Sequence, residues 1–102
     1  MDKEIIFWFS SHQIKNYWLE YAIQYCKEKF HFNAIWYNRI KDWIQVGNLK
    51  FLFKVDDKFH CNGIGLGNVN QYWVEELFDN NFEEFFISII KQEIKNGEER
   101  RN

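Results

Sequence analysis

A single α/β or α+β domain, a mixed sheet of about four or five strands packed with two main helices, is the fold class this chain predicts. Three observations carry it. Glu4 to Phe9 form an unbroken β-branched and aromatic run, and apolar side chains recur at helical spacing from Ile14 onward. Phe82, Phe85, Phe86, Ile89, Ile90 and Ile94 then repeat the i, i+3, i+4, i+7, i+8, i+12 ladder of an amphipathic helix. At 102 residues the chain supports one core and would starve two. The expected organisation is one globular domain over residues 1–97 and a flexible charged tail over 98–102.

Taken in order, "EIIFWF" lacks the alternation of a half-exposed strand and predicts a central strand covered on both faces. "SSHQ" follows, with Ser10 as the expected N-cap and Gln13 as its capping-box partner. The helix it opens carries one stripe of Ile14, Tyr17, Trp18, Tyr21, Ala22 and Tyr25 and a second of Leu19, Ile23, Cys26 and Phe30. So wide an apolar arc has one flank for the sheet and another that needs its own covering. "NAIWYN" reads as a second strand, and "WIQVGNLKFLFKV" as two strands joined around Gly47 and Asn48. Arg39 to Trp43 reads equally as strand or as a helical turn. Leu49, Phe51, Phe53 and Val55 alternate with Lys50, Leu52 and Lys54, the pattern of a half-exposed strand near an edge. "NQYWVEELF" supplies a last short strand. Asn80 or Asn81 caps the final helix, Glu83 and Glu84 suit its positive end, and Asn96 with Gly97 is expected to stop it.

Aromatic residues make up 21% of the chain, with eleven Phe, five Trp and five Tyr. A few rings fill a core of this size, so the surplus points to a surface that meets a partner. The net charge of −2 excludes the basic footprint of a nucleic-acid binder, and nucleic acid is not an expected partner. Between Phe59 and Ile90 there is no Lys or Arg, while Glu75, Glu76, Asp79, Glu83 and Glu84 fall inside that span. With Tyr72 and Trp73 they form the expected partner-binding surface, acidic and aromatic, suited to another protein. Trp18, Tyr21 and Tyr25 on one helix flank form an alternative interface, for a homodimer. The longest apolar run, "IIFWF", is too short to cross a membrane. Cys26 and Cys61 lack paired spacing, so a reduced, cytoplasmic protein is expected.

No residue set completes a known chemistry. Gly63, Gly65 and Gly67 stand at G-x-G-x-G rather than the G-x-G-x-x-G of a dinucleotide loop, and they lead into a strand instead of a helix. His12, His31, His60, Cys26 and Cys61 show no metal-ligand spacing, so neither a metal nor another cofactor is expected. No catalytic residue is assigned, and an enzyme is the less expected class.

The element order "EIIFWF", "SSHQIKN", helix, "NAIWYN", hairpin, "GIGLG", "YWVEE" resembles the N-terminal half of a P-loop ATPase of the phage packaging or helicase-like kind. That family's first turn reads G-x-x-x-x-G-K-[ST]. Lys15 falls in the lysine place, Asn16 in the hydroxyl place, and Phe9 and Ile14 in the two glycine places. The resemblance implies that Lys15 and Asn16 face a nucleotide and that Glu75 and Glu76 match the acidic pair that holds Mg²⁺. Without the glycines it implies a scaffold that has lost hydrolysis. Enrichment in Asn, Lys, Ile and Phe is similar to that of small phage or mobile-element proteins that block host enzymes or defence systems. The expected function is therefore a small non-enzymatic binding or inhibitor protein. A nucleotide-binding remnant and a self-associating structural protein are the alternatives.

Overall fold

In the computed structural model, which describes residues 3–29, 35–56 and 70–100, the chain runs β1 (Lys3–Phe9), α1 (His12–Lys29), β2 (Ile35–Asn38), β3 (Trp43–Val46), β4 (Leu49–Val55), β5 (Asn70–Val74) and α2 (Asn80–Arg100). The five strands form one mixed sheet in the order β2-β3-β4-β1-β5. β1 pairs in parallel with β4 on one side and β5 on the other, while β2, β3 and β4 form an antiparallel meander. Only β3 runs against the rest. The carboxyl ends of β1, β2, β4 and β5 therefore share one edge of the sheet, the edge on which α/β folds gather their working loops.

Period-two alternation sorts the side chains onto two unlike faces. Ile5, Phe7 and Phe9 of β1, Leu49, Phe51 and Phe53 of β4, Ile44 and Val46 of β3 and Val74 of β5 point into one buried cluster. Both helices cover this same face. α1 contributes Trp18, Leu19, Ala22, Ile23 and Cys26, and α2 contributes Phe82, Phe86 and Ile90. Phe7 lies at the centre, stacked on Phe51 at 5.5 Å and meeting Phe53 and Phe82 edge-on at 5.4 and 4.8 Å. The opposite face carries Ile6, Trp8, Trp43, Leu52 and Trp73 between Lys50, Lys54, Gln45 and Gln71, and no described helix packs on it. Trp8 donates its indole N–H to Gln71 Oε1 at 2.7 Å, and the Lys50 amine stands 4.8 Å from the centre of the Trp43 ring.

Five strands and two helices agree with the predicted fold, and β1 is interior as expected, although the described helices cover one of its faces and not both. β4, expected near an edge, lies between β3 and β1 instead. Its alternation reports a sheet with a helix layer on one face, a different matter from a missing strand neighbour. Arg39 to Asp42 form a turn and β3 starts at Trp43. Ser11 rather than Ser10 caps α1, its Oγ accepting from Ile14 N–H at 3.2 Å. Asp79, ahead of the two candidate asparagines, caps α2 by accepting from Phe82 N–H at 2.9 Å. α2 continues past Asn96 and Gly97 to Arg100, so the helix extends into the span expected to be a tail. The glycine stretch, with His31, His60 and Cys61, lies outside the described residues.

The second flank of α1 finds its covering in α2. Trp18 meets Phe82 edge-on at 4.9 Å, Tyr21 and Tyr25 approach Phe86, and the Tyr21 hydroxyl donates to Glu83 Oε2 at 2.7 Å. Burial, then the Glu83 carboxylate, raises the Tyr21 phenol above its ordinary range. Burial alone pushes the Cys26 thiol up to about 12, which leaves it a small packing residue.

The far end of α2 is fixed by Glu93, which is 5% exposed. Its Oε1 accepts from Asn48 N–H at 3.1 Å in the β3–β4 turn. Gly47 beside it holds φ +58°, and a Cβ built there would stand 2.6 Å from the same oxygen. Gly47→Ala is therefore expected to destabilise the fold by more than the ~1 kcal/mol of a left-handed non-glycine residue. In a Glu93→Ala background, where the collision is gone, only that backbone cost should remain. Denaturant unfolding of the two single variants and the double variant measures the difference, and strict additivity would refute the contact.

Candidate functional site

Four strand ends and both helix N-termini meet at the carboxyl edge of the sheet, and the residues assigned from sequence divide there into three groups. At its centre is an open cleft of about 490 Å³ lined by Ser10, Ser11, His12, Lys15, Asp42 and Val55. Ser10 follows β1, its N–H donating to Val74 O and its hydroxyl to Glu75 O at 3.1 Å, which ties the start of α1 to the end of β5. Lys15 is only 8% exposed. Its amine lies 3.0 Å from Asp42 Oδ2 across the cleft, so its charge is matched within the fold. Asp42 holds φ 58°, unusual for a residue with a side chain, while its carbonyl accepts from Phe53 N–H at 2.9 Å. The ion pair and that hydrogen bond keep the residue in place against backbone strain.

One flank of the cleft is the turn Arg39–Asp42. Asn38 Oδ1 accepts from the N–H groups of both Ile40 and Lys41 at 2.9 Å, a side-chain turn that fixes the backbone. Arg39 reaches back to the Glu20 carboxylate with two hydrogen bonds and holds that carboxyl below its ordinary range. Ile40, at the tip, is 91% exposed.

Beyond β5 is the acidic flank. Glu75 and Glu76 leave the strand with exposed side chains, and the Glu76 carbonyl accepts from the Trp18 indole at 3.5 Å. Phe78, 75% exposed, meets the Tyr17 ring edge-on at 6.0 Å. Tyr72 is exposed on the helix side of β5 and rests on Phe85 at 4.2 Å, while Trp73 turns to the opposite face. Trp73 Nε1 is buried and has no hydrogen-bond partner among the described residues. Asp79 and Glu83 are taken up by the α2 cap and the Tyr21 hydroxyl, leaving Glu75, Glu76 and Glu84 to carry the outward negative charge.

The predicted acidic and aromatic set is thus only partly one surface. Tyr72, Glu75 and Glu76 share the β5 end, and Trp73 belongs to another face. Of the alternative interface, Trp18 is buried in the contact between α1 and α2, while Tyr21 and Tyr25 pack against Phe86 and stay half-buried. Of Lys15, Asn16, Glu75 and Glu76, which the P-loop resemblance joins, Lys15 alone lines the cleft. Asn16 is exposed on α1 outside that lining. Sequence reasoning missed Asp42, Ile40 and Phe78. Phe78 carried a signal in the apolar pair "LF" set between acidic residues, whereas the left-handed backbone of Asp42 left none.

Among the described residues of the cleft, Ser11 is a helix cap, the Ser10 hydroxyl donates to a carbonyl and the Lys15 amine is paired with Asp42. Among the described residues no three metal-ligating side chains cluster, and no helix is long and apolar enough to cross a membrane. No family model, no curated protein and no solved structure matches this chain.

Asp42→Ala removes the partner of a largely buried ammonium and should cost about 1.5–3 kcal/mol in chemical denaturation. Asp42→Asn keeps a short polar side chain tolerant of positive φ and should cost less. Equal losses would assign the whole effect to the missing carboxylate charge and none of it to the backbone.

Proposed function

We propose that this chain is a small binding protein that engages another protein through the acidic and aromatic flank at the carboxyl end of β5. One observation carries the reading. Phe78 and Tyr17 expose touching rings directly beside Glu75 and Glu76, whose side chains have no cationic partner among the described residues. A Phe left 75% exposed gains little beyond its one contact with Tyr17, whereas at an interface it supplies an apolar anchor inside a charged rim. Uncompensated carboxylates select a basic partner and speed its encounter. A non-enzymatic role, such as obstructing a host enzyme or defence complex by occupying its surface, would need only that apolar and acidic flank.

Arrays of basic and acidic peptides, each with an apolar residue at its centre, test this reading. The chain should retain basic members selectively, with binding that weakens as salt is raised. Glu75→Lys combined with Glu76→Lys, and separately Phe78→Ser, should abolish retention without altering the circular dichroism melt. Equal binding by the parent and both variants would sink the proposal.

A second reading is favoured by the cleft alone. Lys15 and the first turn of α1 border an open space at the carboxyl edge of the parallel strands, where a nucleotide remnant of the P-loop kind would keep its ligand. ATP with Mg²⁺ at a hundredfold excess over its Kd would stabilise the native state by about 2.7 kcal/mol, a visible rise in melting temperature. An unchanged melt at millimolar nucleotide removes this reading and leaves the first intact.

A further inference from the structure

The two most exposed large apolar residues among those described, Ile40 at 91% and Phe78 at 75%, lie at opposite ends of one sheet edge. Ile40 follows β2 and Phe78 follows β5, the two outermost strands, and β2 and β5 run in the same direction. Four strand spacings of about 4.8 Å separate them by roughly 19 Å, with the cleft between. Their charges are opposite. Ile40 stands between Arg39 and Lys41, both exposed, and Phe78 is preceded by Glu75 and Glu76. The basic end is also rigid, since Asn38, Glu20 and Lys15 all hold its turn.

From this arrangement we infer that the partner of the acidic flank is a second copy of this chain, docked edge to edge about a two-fold axis through the cleft. The inference rests on the acidic flank being a protein-binding surface, and it adds the occupant. A two-fold axis midway between the ends carries Ile40 of one copy onto the Phe78–Tyr17 rings of the other, and the reverse contact forms in the same step. Lys41 then faces the partner's Glu75 and Glu76 at both ends. Parallel docking of like ends would instead set acid against acid, so charge fixes the orientation. Each apolar tip gains an apolar seat that the monomer lacks, and the braced turn loses little conformational freedom on binding.

Sedimentation equilibrium of the full chain, from about 1 µM to about 1 mM, reads the association directly. A reversible dimer is expected. Ile40→Asp, the pair Glu75→Lys and Glu76→Lys, and the pair Arg39→Glu and Lys41→Glu should each weaken it about tenfold or more. All these side chains are exposed, and a retained circular dichroism spectrum confirms that each variant is folded. Mixing the two charge-reversed chains should restore dimers as heterodimers, because both contacts then join opposite charges. A parent chain that stays monomeric to the top of the range overturns the inference, as does a dimer that ignores Ile40→Asp or a mixture without heterodimers. Monomeric behaviour together with selective capture of basic peptides would retain the acidic flank as a binding surface and discard only self-association.

Discussion

Everything in this fold depends on the ring of Phe7. It lies at the middle of the central strand, fully buried, with Phe51 and Phe53 of β4 on one side and Phe82 and Phe86 of α2 above. A ring that bulky, in the middle of a sheet face, calls for large apolar groups above it, and α2 supplies Phe82 and Phe86. α1 joins the same face by pressing Trp18 against Phe82. The two-layer architecture follows from it. So does the concentration of strand ends, helix starts and turns on a single edge, because β1, β2, β4 and β5 all deliver the chain to the same side.

The edge itself is held by polar contacts of long sequence separation. Ser10 joins the end of β5, Lys15 joins the turn after β2, and Trp18 reaches the Glu76 carbonyl. Each spends a group that is a candidate for chemistry on holding the loops in place. The described loops of the edge are consequently tied to one another and to the start of α1.

Much of this was legible in the sequence where one local rule acts alone. The run "EIIFWF" and the ladder from Phe82 to Ile94 gave a central strand and an amphipathic helix because burial sets their periodicity directly. Reasoning failed where two causes leave the same trace. The alternation of β4 looked like an edge strand, yet a strand paired on both sides alternates equally when a helix covers only one of its faces. Ser10 and Ser11 are indistinguishable as caps by composition, and the choice fell to the one not bound to β5. At the candidate site, the nearness of Glu75, Glu76 and Tyr72 could be read from their adjacency in the chain. The burial of Lys15 could not, because it depends on a left-handed Asp42 placed beside it by pairing of β3 with β4.

The two-faced sheet also divides the chain's optical reporters. Trp18 is alone on the helix side, in contact with Tyr17, Tyr21 and Phe82, whereas Trp8, Trp36, Trp43 and Trp73 occupy strand positions that point away from the helices. Indole emission responds to the polarity around each ring, so a chain keeping Trp18 as its sole tryptophan would report helix docking. A chain lacking only Trp18 would report the other layer. The burial pattern that organises the fold thus separates its emission into two independent signals, one for each side of the same sheet.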